Sequence, residues 1–546
     1  MTDLSMNLGT LVRTPLTPAH FPDVSGALPA APRPAGAVDV LLVNPPSPDG
    51  AIWIRCQHRV GRRSRENMIW PQVALAQLAA LLVPDYSVEI VDAIPGRMTW
   101  KAFEKLLHEK QPRYYVTHVT APSLTNDMRG VMMARALGAR TIAIGTHVTP
   151  LPTLTMESFP ALDFVLRGEP ELSLRELLDT LEWSAGRRTG AARSSHADLA
   201  ARLDLLFRHS DPDWRPAWEL DPASPLAAVK GLAWRERDEI RTNADRPYIS
   251  DLNELPLPLH GLLPYDLYRA PGIRGPYSFV VPSRGCPGGC TFCIKHVSYG
   301  SSVRLRSPEN VLAELQVLWN LGLRNVHLYS DLFTVNREQV MAICDGMVRQ
   351  GLRFKWTCNS RVDFVDPAML SAMAGAGCWM ISWGIESASQ DILNHVHKGT
   401  DRAGIEQALR WSKEAGIWNW GFFILGLPGE TEATIKETIK LAKALPLDLA
   451  LFHIAAPYPG TPFFFEVVKN GWFRPGARWE EVDMDESTVL DYPGLPAERI
   501  EYWARRAFRE WALRPGPIWT YLKSVKDWYS FKSAFDAGLQ ALGWMR

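Results

Sequence analysis

Two stretches of this chain alternate short apolar runs with amphipathic segments. In the first, Val38–Val43 is a short, largely branched apolar run, interrupted only by Asp39 and halted by Asn44-Pro45-Pro46. That is the pattern of a parallel strand buried on both faces and opening into a loop. Further strands are expected at Ser87–Val91, Tyr114–Val119, Thr141–Gly145 and Phe164–Leu166, with helices at Gln72–Leu82 and Asn126–Leu137. Strand and helix alternation at this spacing predicts a doubly wound α/β domain over residues 38–182. Its ligand-facing loops are those at the carboxyl ends of the strands: 44–48, 92–94, 120–123, 145–150 and 167–169.

The alternation restarts at Ser278. Strands are expected at Ser278–Pro282, Asn325–Tyr329, Phe354–Cys358, Trp379–Trp383, Trp420–Leu425 and Leu449–Ile454, and helices fill the intervals, from Pro308–Leu321 to Glu432–Ala444. Six β/α units over residues 278–468 predict a partial (β/α)6 barrel of the TIM type, whose chemistry gathers at the C-terminal strand ends. Between the two units, residues 183–277 read as a connector with a small hairpin at Lys230–Arg235 and Glu239–Arg241; residues 1–37 read as a loose leader and 469–546 as a helical cap. On the helix expected at Ala497–Leu513, Trp503, Ala507 and Trp511 share one face while Arg505 and Arg509 lie on another. Two readings of it stand: an aromatic roof over a large apolar anion, or a helix packed on the barrel with a solvated basic side.

The chemistry announces itself directly after the first barrel strand, in Arg284-Gly285-Cys286-Pro287-Gly288-Gly289-Cys290-Thr291-Phe292-Cys293. Three thiolates on one Gly-rich loop, spaced C-x3-C-x2-C, can hold three irons of a [4Fe–4S] cluster and leave the fourth open. A structural zinc site commonly takes four ligands, and His296 is the nearest candidate for the fourth. Seven cysteines, four of them scattered singly, with no secretory signal before them, argue against a disulfide framework and for a reducing cytoplasm. Lys plus Arg equals Asp plus Glu at 59 each, so no global field favours nucleic acid. No apolar run approaches the length of a spanning helix. No G-x-x-x-x-G-K-[ST] or G-x-G-x-x-G signature competes for the strand ends.

The cysteine loop resembles the signature of the radical S-adenosylmethionine (SAM) enzymes. The N-terminal loops, among them Asn44-Pro45-Pro46, Trp70-Pro71, Val91-Asp92-Ala93, Gly145-Thr146-His147 and Leu166-Arg167-Gly168-Glu169, resemble those of the Rossmann-like cobalamin-binding domain fused to one class of them. Within that class the loops are most similar to the branch containing the anaerobic magnesium-protoporphyrin IX monomethyl ester cyclase and the hopanoid-associated radical SAM proteins. The D-x-H-x-x-G cobalt-ligating motif of methionine-synthase-type domains is absent, which changes the expected coordination of cobalt.

The resemblance implies a [4Fe–4S] cluster on Cys286, Cys290 and Cys293, with SAM bound near Asp331, Ser360, Arg361, Glu386 and Gly426. It implies cobalamin near Asn44, Pro45, Asp92, Thr120, Gly145, Thr146, His147, Gly168 and Glu169. His118 and His147 are expected as hydrogen-bonding loop residues rather than cobalt ligands, and Cys358 is a candidate catalytic hydrogen donor with a buried structural thiol as its alternative. The implied activity is radical modification of an unactivated carbon of a large, mostly apolar substrate of tetrapyrrole or terpenoid kind. Methyl transfer leads, and oxidative cyclisation is the alternative. The implied electron donor is a flavodoxin or ferredoxin. A cobalamin carrier without turnover and a zinc-stabilised interaction protein are the readings from other classes.

Overall fold

The computed structural model describes residues 36–56, 59–64, 68–83, 85–187, 197–270, 273–484 and 488–524; most of the expected leader, and Trp528 and Trp544 of the cap, lie outside them. The N-terminal sheet has seven strands. Strands β1 (Val40–Asn44), β4 (Val88–Asp92), β5 (Tyr114–His118), β6 (Arg140–Ile144) and β7 (Phe164–Leu166) are parallel, and the spatial order is β4-β1-β5-β6-β7. The chain starts at β1, steps out to β4 and jumps back to β5, so the order reverses between β1 and β5, where such sheets open a crevice. Helices cover both faces. Val40 and Leu42 pack with Leu75 and Leu78 of helix Val73–Leu82 on one side, while Leu41 and Val43 share the other core with Phe103, Met128 and Val131.

Strands β8 (Leu232–Glu236) and β9 (Glu239–Thr242) form the hairpin expected in the connector, and they extend this same sheet antiparallel to β7, Leu166 facing Leu232. The N-terminal sheet therefore draws on residues well beyond 182. An unexpected hairpin, β2 (Trp53–Cys56) and β3 (Arg59–Arg63), folds over the end of the sheet. Its Arg55 is fully buried against Asp127 at 2.6 Å and donates to the Pro45 carbonyl at 3.0 Å.

The second sheet is a six-stranded parallel half-barrel, β10 (Tyr277–Val280), β13 (Asn325–Leu328), β14 (Lys355–Ser360), β15 (Cys378–Glu386), β16 (Trp418–Leu425) and β17 (Leu449–Ile454), in chain order. Alternate residues face the surrounding helices: Trp356 and Cys358, Ile381, Trp383 and Ile385, Phe423 and Leu425 all belong to the outer core. That core also takes in the cap. Ile500, Trp503, Ala507 and Trp511 of helix Ala497–Ala512 pack into it, and Trp511 donates its indole N–H to Ala442 O at 3.1 Å. Arg505 and Arg509 are exposed. Of the two readings, the packed helix is the one observed: its aromatic face joins the barrel core and its basic side is solvated, which excludes the roof.

Candidate functional site

The cysteine loop hangs on a two-residue ribbon, β11 (Ser283–Arg284) paired antiparallel with β12 (Arg304–Leu305). Gly285 turns the chain out of β11 at φ +88, and its N–H donates to Asp331 Oδ2 at 2.8 Å at the end of β13. Cys286 and Cys290 are buried, Cys293 is half-buried, and all seven cysteines of the chain are free thiols. Burial pushes the Cys293 thiol up to about 12 and raises Cys286 as well. Lone thiolates are therefore disfavoured, and a positive cluster on them restores the charge balance. Among the described residues no three His, Cys, Asp or Glu side chains converge on one point for a single ion; a cluster that takes one thiolate per iron needs no such convergence. His296 directs Nε2 to the Cys290 carbonyl at 3.0 Å.

Cations border the thiols. Arg361, just past β14, places Nη1 3.6 Å from Cys290 Sγ, clasps Asp363 with Nε (3.0 Å) and Nη2 (2.8 Å), and reaches Lys398 O at 2.7 Å. Lys398 in turn donates from Nζ to Glu386 Oε1 at 2.7 Å, both side chains buried. Burial alone depresses the lysine ammonium, but the Glu386 carboxylate and the Cys290 thiol beside it hold its pKa above the ordinary value. Glu386 itself sits at φ +68, where β15 slips register against β16. Such strain persists only where surrounding structure enforces it, and it clusters at functional sites.

Of the five expected SAM residues, Asp331, Arg361 and Glu386 are thus brought around the cysteine loop. Ser360 is buried, its hydroxyl 2.6 Å from Thr334 Oγ1 and donating to Arg361 O at 3.0 Å. Gly426 lies under the cap: its N–H donates to Glu430 and its carbonyl accepts from Tyr492 O–H at 2.8 Å. Cys358 is fully buried in the outer core. Of its two readings, the buried structural thiol is the one observed, since strand parity turns Cys358 away from the lumen. Lys398 escaped the sequence reading because its loop follows a short helix rather than a strand.

Burial raises the Glu430 carboxyl to about 8, against stabilising hydrogen bonds from the Gly426 and Leu427 N–H groups. An acid whose folded pKa lies above its unfolded one costs stability as pH rises between the two values, here from the usual carboxylate range to about 8. Glu430→Gln keeps an acceptor for Gly426 and removes the titration. The melting temperature of the wild type should then fall by several degrees more than that of the variant between about pH 6 and about pH 9, as scanning calorimetry would record.

At the N-terminal strand ends the expected cobalamin residues divide. Gly145, Thr146 and Gly168, with Thr149, line one side of a small, partly open cavity, and Val297, Ser298 and Tyr299 of the cysteine-loop segment line the other. Asn44, Pro45, Asp92 and Thr120 lie beneath the β2–β3 hairpin. Asn44 donates to Asp92 Oδ1 at 2.8 Å, Tyr268 donates to Asp92 Oδ2 at 2.9 Å, and a Cβ at Gly61 would come 2.0 Å from Thr120 Oγ1. Burial lifts the Asp92 carboxyl to about 6. His147 rests its ring on Trp479 at 5.4 Å.

Glu169 accepts from Arg284 Nη1 (2.7 Å), Arg304 Nη1 (2.8 Å) and Ile249 N (2.8 Å), so both its oxygens are engaged by the barrel side and the connector. His118, expected to hydrogen-bond, is fully buried with no partner on either ring nitrogen, and burial lowers its pKa to about 3. Unpartnered buried polar atoms also occur at Asn44 Oδ1, His147 Nδ1 and Ser298 Oγ, the last in the cavity wall. Each such atom costs about 1–3 kcal/mol unless something pairs with it, so this edge of the sheet fits a polar cofactor.

The lumen carries a further feature. On β16, Trp418, Trp420, Phe422 and Ile424 alternate with outward residues and remain half-buried, and Phe422 stacks on His453 of β17 at 5.6 Å and 6°. The every-second-residue aromatics of Trp418-Asn419-Trp420-Gly421-Phe422 were the available signal. From the other domain, Trp70 lies against Phe279 (4.1 Å) and Tyr329 (5.5 Å), and a partly open cleft runs past these rings to Arg284.

Residues 280–442 match the family model described as the radical SAM superfamily. The chain is 30% identical over 464 residues to an uncharacterized methyltransferase of Pyrococcus horikoshii, an alignment covering 84% of this chain and 91% of that one. The chain belongs to the radical SAM superfamily. It is also 29% identical over 414 residues to the anaerobic magnesium-protoporphyrin IX monomethyl ester cyclase of Cereibacter sphaeroides, covering 73% of this chain and 60% of that one. Among solved structures, the radical SAM methyltransferase TsrM of Kitasatospora setae, determined with cobalamin and a [4Fe–4S] cluster bound, shares the fold. The TM-score is 0.57 at 17% identity, over 92% of this chain and 91% of that one. As a radical SAM protein with a Rossmann-like domain ahead of its half-barrel, the chain has the architecture its sequence led one to expect. No helix among the described residues is long and apolar enough to cross a membrane.

Proposed function

We propose that this protein is a cobalamin-dependent radical SAM enzyme that methylates an unactivated carbon of a large, mostly apolar small molecule. The observation that carries the reading is the convergence of one loop on two sites: residues 285–303 hold the three thiols and also wall the strand-end cavity of the N-terminal domain. When bound, the cluster with SAM supplies a carbon-centred radical and cobalamin supplies a methyl group, chemistry that side chains lack. Cys286, Cys290 and Cys293 hold the cluster, Arg361 and Lys398 offset the thiolate charge, and Asp331, Glu386 and Arg361 present charges for the two ends of methionine.

Gly145, Thr146 and Gly168 hold cobalamin, with His118 and Asn44 at the sheet edge. The half-buried rings of Trp420 and Phe422 suit a broad apolar substrate. The likeness to the cyclase supports a second reading, oxidative ring closure on magnesium-protoporphyrin IX monomethyl ester. Pro287 and Gly289 are exposed, which leaves the cluster within reach of a flavodoxin or ferredoxin, and the free thiols suit a reducing cytoplasm. Anaerobically reconstituted protein should hold about four irons and one cobalamin per chain and release 5′-deoxyadenosine from SAM under reduction. Zinc in place of iron would count decisively against it.

A further inference from the structure

We propose that Arg284 is a positioning residue that couples the cluster loop to the strand-end cavity of the N-terminal domain, so that occupancy of the cavity changes the cluster. This rests on the reading of the two sites as cluster and cobalamin sites. Arg284 immediately precedes Gly285-Cys286, and its guanidinium forks between two carboxylates of the other domain: Nη1 to Glu169 Oε1 at 2.7 Å and Nη2 to Glu171 Oε1 at 2.6 Å. The three side chains are 6%, 4% and 1% exposed. Arg304, paired with Arg284 across the ribbon, donates to the second oxygen of Glu169 at 2.8 Å and to Ile249 O at 2.7 Å. Both stems of the cysteine loop are therefore fastened at Glu169.

Glu169 in turn is the neighbour of Gly168, which lines the cavity, and Tyr299 in the opposite wall lies under Arg284 and Arg304, 6.0 and 5.6 Å from ring centre to guanidinium. A movement of Gly168 is thus transmitted to the residue before Cys286 through buried, charge-assisted hydrogen bonds at Glu169, and one of Tyr299 through its ring contacts with the two guanidinium groups. A lysine keeps the charge at Arg284 but can span only one of the two carboxylates. Coupling of this kind acts in both directions: cobalamin alters the cluster, and the cluster alters cobalamin.

The test uses the full-length chain, anaerobically reconstituted, in four forms: wild type, Arg284→Lys, Glu169→Gln, and Arg337→Lys at an exposed pair with Asp366. The electron paramagnetic resonance spectrum and midpoint potential of the reduced cluster are recorded with and without hydroxocobalamin. Wild type and Arg337→Lys should show a shift on adding hydroxocobalamin; Arg284→Lys and Glu169→Gln should load iron and lose that shift. Should Arg284→Lys fail to load, Glu169→Gln, which retains the contact to Glu171, decides the matter. A shift undiminished in the clamp variants, or no shift in a wild type that holds both cofactors, overturns the coupling. A wild type that binds no cobalamin or no iron instead overturns the functional reading beneath it, and the coupling with it.

Discussion

Replacing Gly285 with alanine should strip the cysteine loop of its cluster while leaving the fold intact. Gly285 stands at φ +88, and a Cβ built there would lie 1.8 Å from Ser302 O. The left-handed backbone alone costs a non-glycine residue roughly 1–2 kcal/mol, and the overlap adds to it. Neither wall can retreat, because Arg284 and Arg304 pin the two stems and Asp331 takes the Gly285 N–H. The relief is a displaced Cys286, the ligand next in sequence. At tenfold per ~1.4 kcal/mol, iron retained after reconstitution should fall about tenfold or more, with far-ultraviolet dichroism unchanged. A variant that loads iron like the wild type would show that the ribbon does not set the cysteine geometry.

Arg55→Met should destabilise the N-terminal domain by ~3–5 kcal/mol, the usual consequence of stripping one partner from a buried ion pair. Arg55 and Asp127 are both fully buried at 2.6 Å, and burial already holds the Asp127 carboxyl up at about 6 despite the arginine and the Ser123 hydroxyl that favour its charge. Without Arg55 that pKa rises further, and a raised acid loses stability with increasing pH. The deficit should therefore be largest above about pH 7 and shrink below about pH 5, where Asp127 is protonated in the folded chain with or without Arg55. Urea titrations at the two pH values measure it. An equal deficit at both would mean that lost packing, not the stranded charge, dominates.

Both stretches of alternating apolar runs were legible because buried parallel strands leave little latitude: Val40–Val43 and Phe423–Leu425 must be apolar on the faces that meet helices. The cysteine loop was legible because ligand spacing is local. What escaped depends on partners distant in sequence. Arg55, at the end of the apolar run Ala51–Ile54, shows no purpose in the sequence until it meets Asp127, 72 residues away. Glu169 was legible as a strand-end acid, but its attachment to Arg284, 115 residues on, was not. Cys358 stood between two roles because its strand runs on to Ser360, so the residue that looked like a strand end is an interior, outward-facing one. Trp503 and Trp511 shared a helix face as expected, yet a shared face names no partner; the barrel supplied it.

The measurement that bears most directly on the account is electron paramagnetic resonance of the anaerobically reconstituted, dithionite-reduced protein with and without SAM, for the wild type and Cys286→Ala. A cluster with one open iron on these cysteines gives a [4Fe–4S]+ signal that shifts when SAM is added and is lost in the variant. A signal indifferent to SAM, or zinc where iron should be, would contradict the account.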